Sequence, residues 1–243
     1  MSELVAYKKS GAVAHIVMDD GKVNIMSSVM LKALLDAFDR SEQDRAIVIL
    51  TSGREGIFSA GFDTKLLARR YPPEVYGMVK LGAELAARVL SFPSPVVAAC
   101  SGHAFPMGAF LLLAADIRIG ADGPFKIGMN EVAIGIPVPS FGLELARHRL
   151  VPAYLQRTAL TGEMLSPQEA MLAGFLDRVV PAENLPAVAE STATALCAID
   201  RSAHATTKER LRRGAVAAVR AAIDGEITLD LYERQAQSAA KSS

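Results

Sequence analysis

The sequence predicts an α/β fold, and three features carry that expectation. Strand-like and helix-like stretches alternate through residue 120, and two short runs, 46–51 and 96–100, have the unbroken hydrophobicity of strands buried on both faces. Beyond Pro139 the chain turns almost wholly helical.

Taken in order, Val5-Ala6-Tyr7 and Val13 to Met18 read as two strands joined at Ser10-Gly11, and Asp19-Asp20-Gly21 marks a turn. From Ser27 the apolar residues Met30, Leu31, Leu34, Leu35 and Phe38 recur at the spacing of one helix face, with Asp36, Asp39 and Arg40 opposite. Ala46 to Thr51 forms the first buried strand. A helix over Glu74 to Leu90 stops near Phe92-Pro93-Ser94-Pro95, and Val96 to Cys100 forms the second. An apolar helix from about Met107 and a strand over Asp116 to Ile119 follow. Helices are then expected at Leu143 to Arg149, Ala153 to Thr161 and Ser166 to Ala173, the last opened by the capping box Ser166-Pro167-Gln168-Glu169. Three longer helices follow from Glu183 to the end.

Composition narrows the function. The 243 residues carry 26 basic and 26 acidic side chains with 51% apolar content, so a large core is available and no basic surface for nucleic acid or membrane is indicated. Cys100 and Cys197 share no metal-ligand or redox spacing, which points away from disulfides and zinc and toward a reducing cytoplasm. Met1-Ser2-Glu3-Leu4 does not resemble a secretory leader. The most apolar window, Ala104 to Ala115, falls short of the ~20 residues that cross a bilayer. Neither a dinucleotide-binding glycine pattern nor a P-loop is present, and no metal or separate cofactor is expected.

Three segments could carry chemistry. In Phe58-Ser-Ala-Gly-Phe-Asp-Thr-Lys65 a strand ends at small residues and a helix begins at about Asp63, which would leave the N–H of Phe62 as a free donor at a helix start; the plain alternative is an ordinary strand-to-helix turn. In Ser101-Gly-His-Ala-Phe-Pro-Met-Gly108 another strand runs into a helix. Pro106 has no N–H, so the next donor is Met107, and the two N–H groups could converge on one oxyanion. In Ile127-Gly-Met-Asn-Glu-Val-Ala-Ile-Gly135 a lone carboxylate, Glu131, stands among aliphatic residues that would raise its pKa toward neutrality and make it a general base, unless it merely caps a helix or faces solvent. His103 precedes the second donor segment without a serine or cysteine elbow. Arg201, Lys208, Arg210, Arg212 and Arg213 on a late helix read best as a solvated face, with phosphate contact the alternative.

These three segments, in this order, resemble the enoyl-CoA hydratase/isomerase, or crotonase, family. The resemblance implies a crotonase-like spiral of ββα units over residues 1–182 holding an acyl-CoA site, and a C-terminal helical region over 183–243 that serves trimerisation as a homotrimer or dimer of trimers. It implies that Phe62 and Met107 hold the thioester oxygen and Glu131 is the acid/base, with CoA entering as part of the substrate. Phe62, Leu66, Phe105, Phe110 and Val138 are expected along the acyl chain, and Ala60, Gly61, Asp63, Thr64, Lys65 and Asn130 as further substrate contacts. Hydratases of the family usually place a second glutamate where this chain has Phe110, and a glycine run where it has Pro106-Met107-Gly108. A single base suffices to move a double bond but not to orient water. The expectation is therefore a 3-enoyl-CoA to 2-enoyl-CoA isomerase, with a 2-enoyl-CoA hydratase or a non-catalytic acyl-CoA-binding protein as alternatives.

Overall fold

The computed structural model describes residues 4–69 and 71–241; Met1 to Glu3, part of the segment read for a leader, lie outside them. β1 (Val5–Ser10) and β2 (Val13–Met18) form an antiparallel hairpin turned at Gly11, whose φ is +57°. β3 (Ile25–Met26) precedes α1 (Ser28–Gln43), which Ser27 caps by accepting from the N–H of Met30. β4 (Ile47–Ser52), β5 (Gly56–Ser59) and β6 (Gly61–Phe62) lead into α2 (Thr64–Arg69) and α3 (Pro72–Leu90). β7 (Val96–Cys100), β8 (Gly102–Ala104) and α4 (Pro106–Ala114) repeat the order, and β9 (Ile117–Ala121) closes it.

After a 3₁₀ turn at Val132–Ile134 come α5 (Ser140–Arg149), α6 (Pro152–Thr161), α7 (Pro167–Ala173) and β10 (Arg178–Val180). The chain ends in α8 (Leu185–Leu196), α9 (Arg201–Glu226) and α10 (Leu229–Lys241). The capping box at Ser166 and Glu169 is formed in full.

The main sheet runs β1-β2-β4-β7-β9-β10, parallel except at the first pair. β3 pairs with β6, and β5 with β8, as two short parallel ladders beside it. The first turn of the spiral thus sends two strands to the main sheet and the next two send one each; every one of the three adds one or two strands to a side ladder and then helix to the core. The side strands and β10 were not expected. Two to four residues, several of them glycine, give too short a stretch for an alternating pattern.

One face of the sheet (Ile16, Val48, Leu50, Ala98) packs on α1, α3 and α4, and the other (Ile47, Ile49, Val97, Ile119) on Leu185, Ala189 and Ala193 of α8. Burial on both faces explains the unbroken apolar runs of β4 and β7. α4 is buried from Met107 to Ala114, so its terminal carbonyls cannot reach water. Arg149 donates to the carbonyls of Leu113 and Ala115, and Arg212 donates to those of Leu90, Ala114 and Ala115, at 2.9, 3.0 and 3.3 Å. Asp116 holds Lys208 at 2.7 Å and Arg212 at 2.8 Å. This corrects the reading of a solvated face on α9 for two of its basic residues, Lys208 and Arg212, which are only 6% and 4% exposed; Arg210 and Arg213 are exposed and Arg201 half-buried. Arg212 caps helices that end inside the protein, and Lys208 pairs with Asp116 beside it. No helix among the described residues is long and apolar enough to cross a membrane.

Candidate active site

The first donor segment is fixed from below by a turn. Asp20 accepts the N–H groups of Lys22, Asn24 and Ile25 at 2.8, 2.8 and 2.9 Å, and these bonds hold its carboxyl below the usual range against the opposing effect of burial. Asn24, buried with φ +52°, donates to Ser52 Oγ at 2.7 Å and to the carbonyl of Phe58 at 3.1 Å. Ser59 Oγ donates to the Asn24 carbonyl at 2.8 Å and accepts the Gly61 N–H at 3.1 Å. Ala60 donates to the Val23 carbonyl at 2.9 Å. Gly61 and Phe62 then pair with Ile25 and Met26.

Phe62 therefore ends a strand rather than starting a helix. Asp63 is the residue that caps α2, accepting from the N–H groups of Lys65 and Leu66 at 2.9 and 3.2 Å. Pairing to β3, not a helix dipole, orients the Phe62 backbone. Thr64 and Lys65 are exposed, and Leu66 is half-buried against the core.

The second donor segment meets the first at a glycine. At Gly61, with φ +83°, an added Cβ would stand 3.6 Å from Pro106 N and 3.7 Å from Met107 N. Phe105 donates to the Ser59 carbonyl at 2.9 Å and provides no side-chain cap for α4, so the N–H groups of the first turn, Met107 among them, remain open at the positive end of that buried helix. The same packing fixes the side chains. A Cβ on Gly82 of α3 would lie 2.5 Å from the Phe62 ring and 3.1 Å from Met107 Sδ, and one on Gly108 would lie 2.9 Å from Ser59 Cβ. Ring and thioether thus share the surface of Gly82.

The third segment runs alongside. Gly128 donates to the Ala104 carbonyl at 3.1 Å, and Ile127 exchanges bonds with Leu165 at 2.9 and 3.0 Å, which ties the segment to the end of β8; Met129, half-buried Asn130 and Glu131 follow directly. Glu131 is 6% exposed, and its Oε2 has no hydrogen-bond partner. Its carbonyl accepts from Ile134 and Ile136, which ties the following turn to it. Burial pushes the carboxyl up to about 7, opposed only by its own backbone N–H. A carboxylate that ionises near neutrality, lies in a dry setting and has a free oxygen is suited to take and return a proton.

Of the other expected contacts, Val138 is half-buried against the core. Phe110 is fully buried, edge-on to Phe141 with centroids 5.3 Å apart, and its ring fills the space over Gly142 of α5. It contributes bulk behind the site. His103 accepts the Lys126 N–H at Nδ1, 3.0 Å, and its ring lies against Phe105 and Phe125 at 5.9 and 5.6 Å. It is a packing residue. Asp20, Asn24, Ser59 and Gly82 were not anticipated; the only local sign of them was the Asp19-Asp20-Gly21 turn.

Residues 8–243 match the family model for enoyl-CoA hydratase/isomerase. The chain belongs to this family. A human relative, mitochondrial enoyl-CoA delta isomerase 1, is 32% identical over 213 residues, covering 86% of this chain and 70% of its own. The carnitinyl-CoA dehydratase of Salmonella typhi is 31% identical over 215 residues, covering 87% and 81%. Among solved structures, an enoyl-CoA hydratase/isomerase family protein from Pseudomonas syringae superposes with a TM-score of 0.89 at 43% identity, covering 92% of this chain and 96% of that one. Human mitochondrial delta3-delta2-enoyl-CoA isomerase superposes with a TM-score of 0.85 at 28% identity, covering 99% and 98%. The crotonase fold and an acyl-CoA thioester as the class of substrate follow from membership.

Proposed function

We propose that the protein is an enoyl-CoA isomerase that shifts a 3-enoyl-CoA double bond to the 2-position. The observation that carries this reading is the single unpaired carboxylate of Glu131, together with a phenyl ring at position 110, where a water-activating acid would be needed for hydration. Glu131 takes a proton from C2. The negative charge spreads through the thioester onto its oxygen, which the N–H groups of Phe62 and Met107 receive, and the protonated Glu131 returns the same proton to C4. No water is consumed and no second base is required. Each preorganised donor of this kind is worth ~3–4 kcal/mol at the transition state.

CoA reaches the site along the Ala60 to Leu66 segment, and the acyl chain runs past Phe105 and Val138. Similarity to the relative named a carnitinyl-CoA dehydratase favours the second reading, addition or removal of water using Glu131 and water held by backbone groups. Parallel assays of one preparation separate the two. Isomerisation of 3-hexenoyl-CoA well above hydration of crotonyl-CoA supports the isomerase, the reverse supports the hydratase, and binding without either turnover supports an acyl-CoA-binding protein. A homotrimer or pair of trimers is part of the same proposal, supported by exposed Val132, Ile134 and Ile136 on the turn after Glu131 and exposed Leu160 on α6; light scattering tests it. Two unpaired cysteines fit work in a reducing cytoplasm.

A further inference from the structure

Asn24 stands at the corner between the Asp20 turn and β3, fully buried and with a left-handed φ of +52°. Asparagine is one of the few side chains that accept this conformation, so the backbone alone explains glycine or a small polar residue here. It does not explain the bonding. The Asn24 N–H donates to Asp20 Oδ1 at 2.8 Å, and Asn24 Oδ1 accepts the Asp20 N–H at 3.1 Å. Asn24 Nδ2 donates to Ser52 Oγ at 2.7 Å and to the Phe58 carbonyl at 3.1 Å, and the Asn24 carbonyl accepts from Ser59 Oγ at 2.8 Å. Each polar group of the residue is engaged.

Two of these bonds reach Phe58 and Ser59 at the end of β5, 34 and 35 residues along the chain. The pairing of β5 with β8 shifts register between Ile57 and Ser59, and Asn24 takes up the Phe58 carbonyl at that irregularity. Ser59 in turn holds both donor segments. Its Oγ accepts the N–H of Gly61, directly before Phe62, at 3.1 Å, and its carbonyl accepts the N–H of Phe105, two residues before Met107, at 2.9 Å. With its own proton committed to the Asn24 carbonyl, Ser59 Oγ presents lone pairs to Gly61. The first turn of α4 rests on the same residue, since a Cβ on Gly108 would stand 2.9 Å from Ser59 Cβ.

We propose that Asn24 is a positioning residue for the two donors: it fixes Phe58 and Ser59, and through Ser59 it sets the spacing between the N–H groups of Phe62 and Met107. This rests on the reading of those groups as the receivers of the thioester oxygen. Fully buried, Asn24 acts through Ser59 and not on the substrate. Such hydrogen bonds count most when charge gathers on the oxygen, so a displaced donor lowers kcat and leaves substrate binding largely intact.

The test is Asn24→Gly in the full-length protein. Glycine keeps the left-handed backbone with its N–H and carbonyl bonds and deletes only the amide side chain. One readout is turnover of 3-hexenoyl-CoA or, if faster, of crotonyl-CoA. The other is the ultraviolet absorption of bound 2,4-hexadienoyl-CoA, whose conjugated carbonyl shifts to longer wavelength when hydrogen bonds polarise it. The variant should lose about ten-fold or more in kcat with KM within about three-fold, and about half or more of the red shift. Ser52→Ala removes one acceptor of the same amide and should move both readouts the same way by less; it decides the matter if the glycine variant does not fold. Ser41→Ala removes a buried 2.8 Å bond to the Ala37 carbonyl within α1 and should lower the melting temperature with kcat and the red shift unchanged. Full kcat and an undiminished red shift in the folded Asn24 and Ser52 variants overturn the proposal, as does an equal loss in Ser41→Ala. Those results leave the oxyanion reading standing; absence of a red shift in the wild type removes both.

Discussion

Replacing Glu131 with glutamine should stabilise the protein, by an amount set by pH. The carboxyl ionises at about 7 in the folded chain, against an ordinary 4.5, because burial disfavours the charged form. The folded state therefore holds its proton through a window in which the unfolded state has lost it, and wild-type stability falls as pH rises from about 4.5 to about 7. That displacement corresponds to about 3 kcal/mol. Glutamine has the same shape and no charge, so Glu131→Gln should match the wild type near pH 4, gain through the window and level off about 3 kcal/mol more stable above pH 8. For a chain of this size that is roughly 6–12 °C in melting temperature. Urea unfolding of both proteins at half-unit pH steps reads it directly. A difference that does not vary with pH would refute the claim that Glu131 is held in a desolvated setting.

Other substitutions probe the supports of the site. Gly82→Val would drive a side chain into the Phe62 ring, now 2.5 Å from the Cβ position, and should lower kcat about 100-fold with the fold retained by circular dichroism. Ser59→Ala leaves the Gly61 N–H and the Asn24 carbonyl without their bonds at a buried position; a cost of about 1–3 kcal/mol in urea unfolding and a fall in kcat larger than any change in KM are expected. Arg212→Met strips the carbonyls of Leu90 and Ala114 of a donor and leaves Asp116 with one cation fewer, which should cost about 3–5 kcal/mol by the same measurement.

The pattern of what could be read from sequence follows from where each signal resides. Strands β4 and β7 were legible because burial on two faces demands an unbroken apolar run, and α1 because one buried stripe demands a 3.6-residue period. Glu131 stood out because a lone carboxylate among aliphatic residues has few structural uses, and the structure leaves its Oε2 unpartnered. The helix start expected at about Asp63 is where α2 is capped, but the Phe62 backbone before it ends a strand paired to β3, a partner more than thirty residues back that nothing local announces. Asn24 and Ser59 escaped because each bonds a partner more than twenty residues away, at a distance no local spacing records. Lys208 and Arg212 looked like surface residues for the same reason. Their burial depends on Asp116, 92 residues before Lys208, and on the ends of helices that sequence alone does not place.

The central claim is that one carboxylate carries the proton from C2 to C4. The most direct test compares the rate at which the wild type and Glu131→Gln convert 3-hexenoyl-CoA to 2-hexenoyl-CoA, with CoA-thioester binding measured in both. Binding within a few-fold and a rate at least about 100-fold lower in the variant are expected for loss of a general base. Equal rates would show that the proton is carried by another group.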